Sequence, residues 1–254
     1  MKNLKAFLKL RKSDRTLIIS RVSDLVQGGF DIEKLALDFV RLNQEVWGDI
    51  TGARYLWTKE MVLSHFRTCP RHIYCAFEKG SMVGSLTNIA TTKNDMKSNK
   101  TWLEKTGGGY LDTHRPDGNI GFGVDLSVSR RASGKVSNRL ILSALFVSVL
   151  GEGLKAVYLG ARIPGYHKNQ PLSVQEYVYG KRKTSKPLDP ELYFYLKNGF
   201  EIVEIIPEYM DDPESLNYGV LIGWKNPLYD VTKVFPFLKT MIRKIGQLLF
   251  LRLP

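Results

Sequence analysis

The sequence predicts an α/β protein with a mixed central β-sheet flanked by helices. Three observations carry this prediction: an apolar helical segment lies between two strand-like segments, two other strands meet at a tight turn, and capped amphipathic helices precede them. A strand–helix–strand unit makes its two strands parallel, whereas a tight turn makes its strands antiparallel. The sheet is therefore expected to contain both kinds of pairing.

The first half of the chain supplies the antiparallel part. A β-branched segment at 16–23 is predicted to be the first strand. Asp31 is a typical N-cap for the amphipathic helix that follows, and Thr58 opens a second helix that stops before Pro70. Two strands then flank a hairpin turn at 79–81.

The second half supplies the parallel part. Residues 119–129 are predicted to be a strand, 138–153 an apolar helix and 155–163 the next strand. The polar, glycine-rich stretch 93–118 before this unit is predicted to be a long loop. After the unit, Asp189 caps another helix, and two further strands complete the sheet.

The net charge of +12 is concentrated at the two ends of the chain. This pattern divides the chain into a basic extension at 1–15, one domain at 16–227 and a basic amphipathic helix at 228–254. A nucleic-acid groove needs a basic core surface, so this distribution argues against nucleic-acid binding.

The C-terminal segment, 233–253, has apolar residues at helical spacing with basic residues between them. This pattern is typical of a helix that lies on an anionic membrane, a peripheral contact that the basic N-terminus would assist. Alternatively, the helix packs on its own domain or closes a homodimer.

No secretory signal and no spanning segment of 18 apolar residues is present, so a cytoplasmic location is expected. Cys69 and Cys75 have no partner at metal-ligand spacing, so we expect two free thiols and no metal.

The loop between the first parallel strand and its helix has the composition of an anion site. A helix N-terminus offers unpaired N–H groups and a positive dipole end. Gly134 permits close approach of an anion, Arg131 and Lys135 add positive charge, and Ser133 and Ser137 offer hydroxyl groups. Ser137 is also a candidate cap for the helix.

This loop and the order of elements resemble the GNAT superfamily of N-acetyltransferases. The family's pyrophosphate signature, Gln/Arg-x-x-Gly-x-Gly/Ala, is matched by Arg131 and Gly134, whereas Val136 departs from it. The resemblance implies a mixed sheet splayed at its centre and an acyl-CoA co-substrate, acetyl-CoA or another. It assigns the following residues to the CoA pyrophosphate cradle: Val128, Arg131, Ala132, Ser133, Gly134, Lys135, Val136 and Ser137.

A narrower resemblance covers roughly 155–227. The motifs at 161–167, 175–178 and 223–227 are similar to those of the acyltransferase domain that is fused to carbon–nitrogen hydrolases in some bacteria. This similarity supports the fold and leaves the substrate open.

The catalytic residues are assigned with alternatives. Tyr195 stands in a Tyr-x-x-x-Gly-Phe pattern, and the resemblance implies that it protonates the departing CoA thiolate; the alternative is a core aromatic residue. An amine acceptor must lose a proton before it attacks, so a base is expected. Asp125 is the leading candidate, beside Glu78 and His167; the alternative for Asp125 is a solvent-facing strand residue.

Two residues are candidate contacts of a small-molecule amine acceptor. Arg162 can bind a substrate carboxylate, or it can pair with Glu176 or Asp189 to hold its loop. Tyr166, in the following loop, carries the same ambiguity. The expected activity is acyl-CoA-dependent N-acyl transfer by direct attack of the amine. The alternatives are an acyl-CoA- or lipid-binding protein without turnover and a membrane-peripheral acyltransferase that uses long-chain donors.

Overall fold

The computed structural model describes residues 17–96 and 100–254 of the chain. The predicted basic extension at 1–15 lies outside these residues. Within them, one sheet has the strand order β1-β2-β3-β4-β5-β7-β6. The strands are β1 (Leu17–Arg21), β2 (Ile73–Glu78), β3 (Ser81–Thr91), β4 (Ile120–Val128), β5 (Ala156–Ala161), β6 (Glu201–Ile206) and β7 (Gly219–Lys225).

Helices cover both faces of this sheet. In chain order they are α1 (Val22–Gln27), α2 (Ile32–Trp47), α3 (Lys59–Thr68), α4 (Trp102–Thr106), α5 (Val136–Ala144), α6 (Val174–Tyr179), α7 (Pro190–Lys197), α8 (Tyr229–Val234) and α9 (Phe237–Phe250). The predicted caps are confirmed: Asp31, Thr58 and Asp189 each accept hydrogen bonds from first-turn amides of α2, α3 and α7. Such caps contribute about 1 kcal/mol each.

Several element boundaries differ from the predicted ones. The first strand ends at Arg21 because Val22 and Leu25 turn into the core as α1. The predicted loop at 93–118 contains α4, which a capping box between Thr101 and Glu104 stabilises. The helix predicted at 138–153 begins at Val136, with no side-chain cap, so the prediction that Ser137 caps it was wrong.

The core lies on both faces of the sheet. Alternate residues of β2 point to opposite sides: Tyr74 and Ala76 pack under α5, whereas Ile73 and Cys75 pack under α2 and α3. A strand buried on both faces reads as a continuous apolar run rather than an alternating one. Cys69 and Cys75 are both buried free thiols, and burial raises the pKa of Cys69 to about 12.

The sheet is mixed and splayed at its centre, as predicted. β4 and β5 are parallel and pair only from Ile120 to Gly123 on β4. Val124 is an extra residue in β4 relative to β3, and Trp102 of α4 donates its indole N–H to the Val124 carbonyl at 3.0 Å. Such a bulge bends and twists its strand. Beyond it, β4 continues to Val128 with no partner on its β5 side in the described residues.

The C-terminal segment packs on its own domain in two pieces. Pro236 separates α8 from α9, so the single helix predicted at 233–253 is interrupted. The face of α9 that carries Gly246 and Phe250 lies against the helical segment following α5, with the Phe250 and Phe146 ring centroids 5.5 Å apart. In residues 17–96 and 100–254, no helix is long and apolar enough to cross a bilayer.

Candidate active site

A cavity of about 450 Å³ opens where β4 and β5 separate. Its walls come from β4, the end of β5, α2, α7 and the loops beside them. Its polar and charged lining residues are Asn43, Trp47, Thr51, Tyr55, Trp57, Asn88, Trp102, Asp125, Ser137, Arg162, Glu191, Tyr195 and Tyr209. The splay therefore creates a partly polar recess beside the loop that leads into α5.

Two carboxylates hold this loop in place. Glu45 of α2 accepts a hydrogen bond from Ser129 Oγ at 2.6 Å and pairs with Arg131 at 3.2 Å. Glu78 at the end of β2 accepts the Ser133 N–H at 3.2 Å. The hydrogen bond from Ser129, aided by Arg131, lowers the pKa of Glu45. Glu78, a candidate base, thus braces the loop and does not line the cavity.

The loop has the features of an anion site. Ser133 Oγ is buried and has no hydrogen-bond partner among the described residues. Val136 donates its N–H to Ser133 and Arg139 to Lys135, which leaves the first-turn amides of Ser137 and Asn138 without backbone partners in the described chain. A buried polar atom normally has a partner, so these donors fit a bound anion such as a pyrophosphate.

The two glycines beside this loop provide the room. A Cβ placed on Gly134 would meet no atom within 4 Å, so the space above it is open. Val136, the departure from the family signature, turns its fully buried side chain into the core. A Cβ on Gly84 would come within 2.9 Å of Val136 Cγ1, so Gly84 makes room for the valine. The branched residue therefore does not narrow the loop.

The other predicted cradle residues have different positions. Val128 and Ser137 line the cavity, and Ala132 donates its amide to the Ser129 carbonyl within the turn. The Arg131 side chain is 81% exposed, and Lys135 is exposed at the start of α5. The sequence motif thus forms one continuous turn at the helix N-terminus.

Asp125 lies in the wall of the cavity, so its alternative as a solvent-facing residue was wrong. Its carboxylate accepts hydrogen bonds from Trp47 Nε1 at 3.0 Å and from Ser127 Oγ at 2.9 Å. Burial raises the pKa of Asp125 to about 7, although these donors oppose the shift. A carboxyl group with this pKa can exchange a proton near neutral pH.

Tyr195 lies on the face of α7 that lines the cavity. Its ring packs on Phe194 and Phe200, with centroid distances of 5.2 and 5.7 Å. Burial, together with the nearby charges of Glu191 and Asp125, raises the pKa of the phenol. The residue is therefore both a packing residue and a protonated phenol at the cavity.

Glu191 was missed by the sequence analysis. It lines the cavity one helical turn before Tyr195, and burial raises the pKa of its carboxyl to about 7 against the attraction of Arg162. The spacing of four residues between Glu191 and Tyr195 places both on one face of α7, which is the signal that could have identified it.

Arg162 has partners other than those considered from the sequence. It forms a bidentate pair with Asp212 at 2.7 and 2.9 Å and bonds Glu214 at 2.9 Å. Glu176 instead completes a capping box with Ser173, and Asp189 caps α7, so the predicted pairings with Glu176 or Asp189 were wrong. Arg162 lines the cavity, with its Nη1 3.6 Å from Glu191.

The structure does not bring Tyr166 or His167 to the cavity. Tyr166 is buried, donates its hydroxyl to the Leu172 carbonyl at 3.2 Å and packs on Tyr177. His167 Nδ1 lies 2.9 Å from the Pro164 carbonyl. The predicted acceptor contact of Tyr166 and the candidacy of His167 as base therefore have no geometric support.

Tyr209 is a second residue that the sequence analysis did not assign to the site. It is 1% exposed and lines the cavity, and its hydroxyl lies against the Gly160 backbone with no acceptor for its own proton among the described residues. Its ring lies across the backbone of β5 and β7, where a Cβ on Gly160 or Gly219 would come within 2.2 or 2.5 Å of it. These two glycines admit the ring.

The raised pKa of Asp125 predicts a pH effect on stability. The folded state holds this proton more tightly than the unfolded chain, whose ordinary aspartate pKa is 3.8. The associated stability is fully present below pH 3.8 and is lost as the pH rises through about 7. Asp125→Asn should therefore reduce the fall in the thermal unfolding midpoint between about pH 5 and pH 8.

The matched control is Asp230→Asn, which changes an exposed aspartate on α8. It should leave the pH profile as it is in the unchanged protein. Some slope should persist in the Asp125 variant because Glu191 titrates in the same range. Identical profiles for Asp125→Asn and the unchanged protein would contradict the assignment.

Comparison with known proteins places this fold in a family. No family model matches the chain. It is 31% identical over 200 residues to YkwB, named an uncharacterized N-acetyltransferase, of Bacillus subtilis (strain 168), covering 78% of this chain and 86% of that protein. It is also 31% identical over 176 residues to YhcX, a probable hydrolase of the same organism. This match covers 68% of this chain and 34% of that protein.

Solved structures agree in fold. The loading GNATL domain of CurA from Lyngbya majuscula superposes with a TM-score of 0.68 at 17% identity, over 82% of this chain and 97% of that one. The GphF GNAT-like decarboxylase in complex with isobutyryl-CoA has a TM-score of 0.61 at 21% identity, over 82% of this chain and 98% of that one. With a named N-acetyltransferase matched across most of both sequences, the chain belongs to the GNAT superfamily of N-acetyltransferases.

Proposed function

We propose that this chain is an acyl-CoA-dependent N-acyltransferase in which an amine attacks the thioester directly. The observation that carries the proposal is the junction of two features: an open anion-binding turn at the start of α5 adjoins a splayed cavity that contains Tyr195 and Asp125. An activated acyl donor with a pyrophosphate needs both a helix N-terminus and a channel between strands. Acetyl-CoA is the donor we propose to test first.

Residues 131–137 and Val128 are proposed to hold the CoA pyrophosphate. The amides of Ser137 and Asn138 and the unpartnered Ser133 hydroxyl supply hydrogen bonds, while Arg131 and Lys135 add positive charge. Glu45 and Glu78 stabilise the turn through their hydrogen bonds from Ser129 and Ser133. The free edge of β4 between the bulge and Val128 carries N–H groups suited to polarise the thioester carbonyl.

The proton chemistry is assigned to two side chains. When bound, acyl-CoA supplies an activated acyl group. Asp125 takes one proton from the ammonium form of the acceptor, because its pKa near 7 matches that task. As the C–N bond forms and the C–S bond breaks, Tyr195 gives its hydroxyl proton to the leaving sulfur and recovers the second proton of the nitrogen. The net reaction releases one proton to solvent.

Release of free thiol from acetyl-CoA with a panel of amines tests this function. Amine-dependent thiol release, with matching acetylated product by mass spectrometry, is the expected result. Tight CoA binding in calorimetry without release for any amine or acyl chain length would instead establish the binding protein without turnover.

We also propose a peripheral contact with anionic membranes through α9. The helix uses its Gly246 and Phe250 face for the domain, and its apolar face remains open to solvent. On that open face Phe237 is 67% exposed and Leu248 is 81% exposed. Lys244 is exposed beside them, and each basic residue near an anionic surface adds about 1 kcal/mol.

Co-sedimentation with liposomes that contain phosphatidylserine tests this contact. Binding at low salt should weaken at high salt, because ionic strength screens the basic residues. Phe237→Gln with Leu248→Gln should reduce binding and leave the docked face of α9 intact. Tyr179→Ser, which changes an exposed aromatic residue of α6, is the control. Salt-resistant self-association, lost in the double variant, would instead identify a homodimer seam.

A further inference from the structure

Aromatic rings form much of the wall of the cavity. These rings come from α2, α4, α7 and the loops around residues 55 and 209: Trp47, Tyr55, Trp57, Trp102, Phe194, Tyr195 and Tyr209. The face of an aromatic ring carries partial negative charge and attracts cations. Arg162 already uses one of them, with its guanidinium carbon 5.6 Å from the Trp47 ring centroid.

The charges of the cavity are predominantly negative. Of the described residues that line it, Asp125, Glu191 and Arg162 are charged. The single cation is offset from behind by Asp212 and Glu214, both within 2.9 Å of the guanidinium. Asp125 has no ion-pair partner among the described residues, and Glu191 has only Arg162, whose Nη1 lies 3.6 Å away and which Asp212 and Glu214 already hold. Burial raises the pKa of Asp125 and of Glu191 to about 7, so a cation that arrived between them would favour their ionised forms.

The Tyr209 hydroxyl is the independent sign of a ligand. It belongs to a side chain that is 1% exposed, it borders the cavity against the Gly160 backbone, and its proton has no acceptor in the described residues. A buried hydroxyl proton without an acceptor is unfavourable, so its retention beside an open space indicates a hydrogen bond made only when that space is filled. Glu191 and Asp125, the charged neighbours of Tyr195, line the same cavity.

We propose that the acceptor of this enzyme is an aliphatic amine that enters as an ammonium ion and carries no carboxylate beside its nitrogen. The aromatic rings and the carboxylates of Asp125 and Glu191 bind the ammonium, and Tyr209 orients it through its free hydroxyl. An α-amino acid would bring its own carboxylate against these two groups, and like charges repel strongly in a desolvated site. Glu191 is then a specificity-determining residue. The role of this amine as acceptor rests on the proposed N-acyl transfer, whereas the binding preference rests on the cavity alone.

Matched ligand pairs that differ only in the carboxylate test the preference without any turnover. Binding of cadaverine and lysine, agmatine and arginine, and tryptamine and tryptophan is measured by calorimetry on the full chain saturated with CoA. At least one amine should bind, and its amino-acid partner should bind at least about tenfold more weakly. Glu191→Gln should weaken the amine and reduce its advantage over the amino acid.

Two controls keep the result interpretable. Glu201→Gln, which changes an exposed carboxylate of β6 paired with Lys225, should leave the preference unchanged. Unchanged CoA affinity in Glu191→Gln reports an intact fold. Equal binding within every pair, tighter binding of an amino acid, or no binding of any of the three amines would overturn the proposal. Thiol release from acetyl-CoA is scored separately, so an active enzyme with a different acceptor class remains distinguishable from a protein without transfer.

Discussion

Gly134→Asp is expected to abolish measurable CoA binding and leave the fold intact. Residue 134 sits in the turn before α5, and the space that its side chain would occupy is empty. An aspartate there places a negative charge where the pyrophosphate is proposed to lie. Like-charge contact costs several kcal/mol, and each 1.4 kcal/mol is a factor of ten, so the affinity should fall by about a hundredfold or more.

Gly134→Ala is the matched control for this variant. A methyl group at this position meets no atom within 4 Å, so the fold should tolerate it. Its effect on CoA affinity should be small compared with that of the aspartate, because it adds no charge. Calorimetry with CoA, alongside thermal unfolding of both variants, separates the two effects. Unchanged affinity in a folded Gly134→Asp protein would show that the pyrophosphate binds elsewhere.

Tyr195→Phe is expected to lower kcat by about a hundredfold to ten-thousandfold, the usual contribution of a positioned general acid. The variant removes one oxygen atom and retains the ring that packs on Phe194 and Phe200. Because the phenol is proposed to act on the leaving sulfur, its loss should appear in kcat and leave CoA affinity unchanged.

Tyr193→Phe is the control on the same helix. Tyr193 lies two residues earlier, outside the cavity lining, where Lys186 and Lys197 pack over its ring. Its kcat should match that of the unchanged protein. A Tyr195→Phe variant with full kcat would identify Tyr195 as a packing residue only, and the leaving sulfur would then take its proton from another group.

The order of elements and the glycine-containing turn before α5 could be predicted from the sequence because their signals are local. The caps at Asp31, Thr58 and Asp189 lie next to the amides that they bind, and a tight turn or a glycine-containing loop specifies itself over a few residues. The splay and the role of Tyr195 were predicted from resemblance to a family. The position of the splay is visible in the bulge at Val124 and the shortened pairing of β4 with β5.

The environment of each side chain in the cavity was decided by tertiary structure alone. Asp125 is anchored by Trp47, 78 residues away, and Arg162 is neutralised by Asp212, 50 residues away. No local pattern marks either pair, because pKa values and ion pairing depend on which distant groups the fold buries together.

The C-terminal helix shows the same division. The sequence by itself predicted an amphipathic, basic helix at 233–253, since its apolar residues repeat with the helical period, and α9 forms most of it at Phe237–Phe250. Only the tertiary structure decided which face docks. Gly246 allows α9 to approach Val147 closely, so the side carrying Gly246 and Phe250 contacts the domain and the apolar stripe of Phe237 and Leu248 stays exposed. Close backbone approach depends on the shape of the partner surface, which no periodicity records.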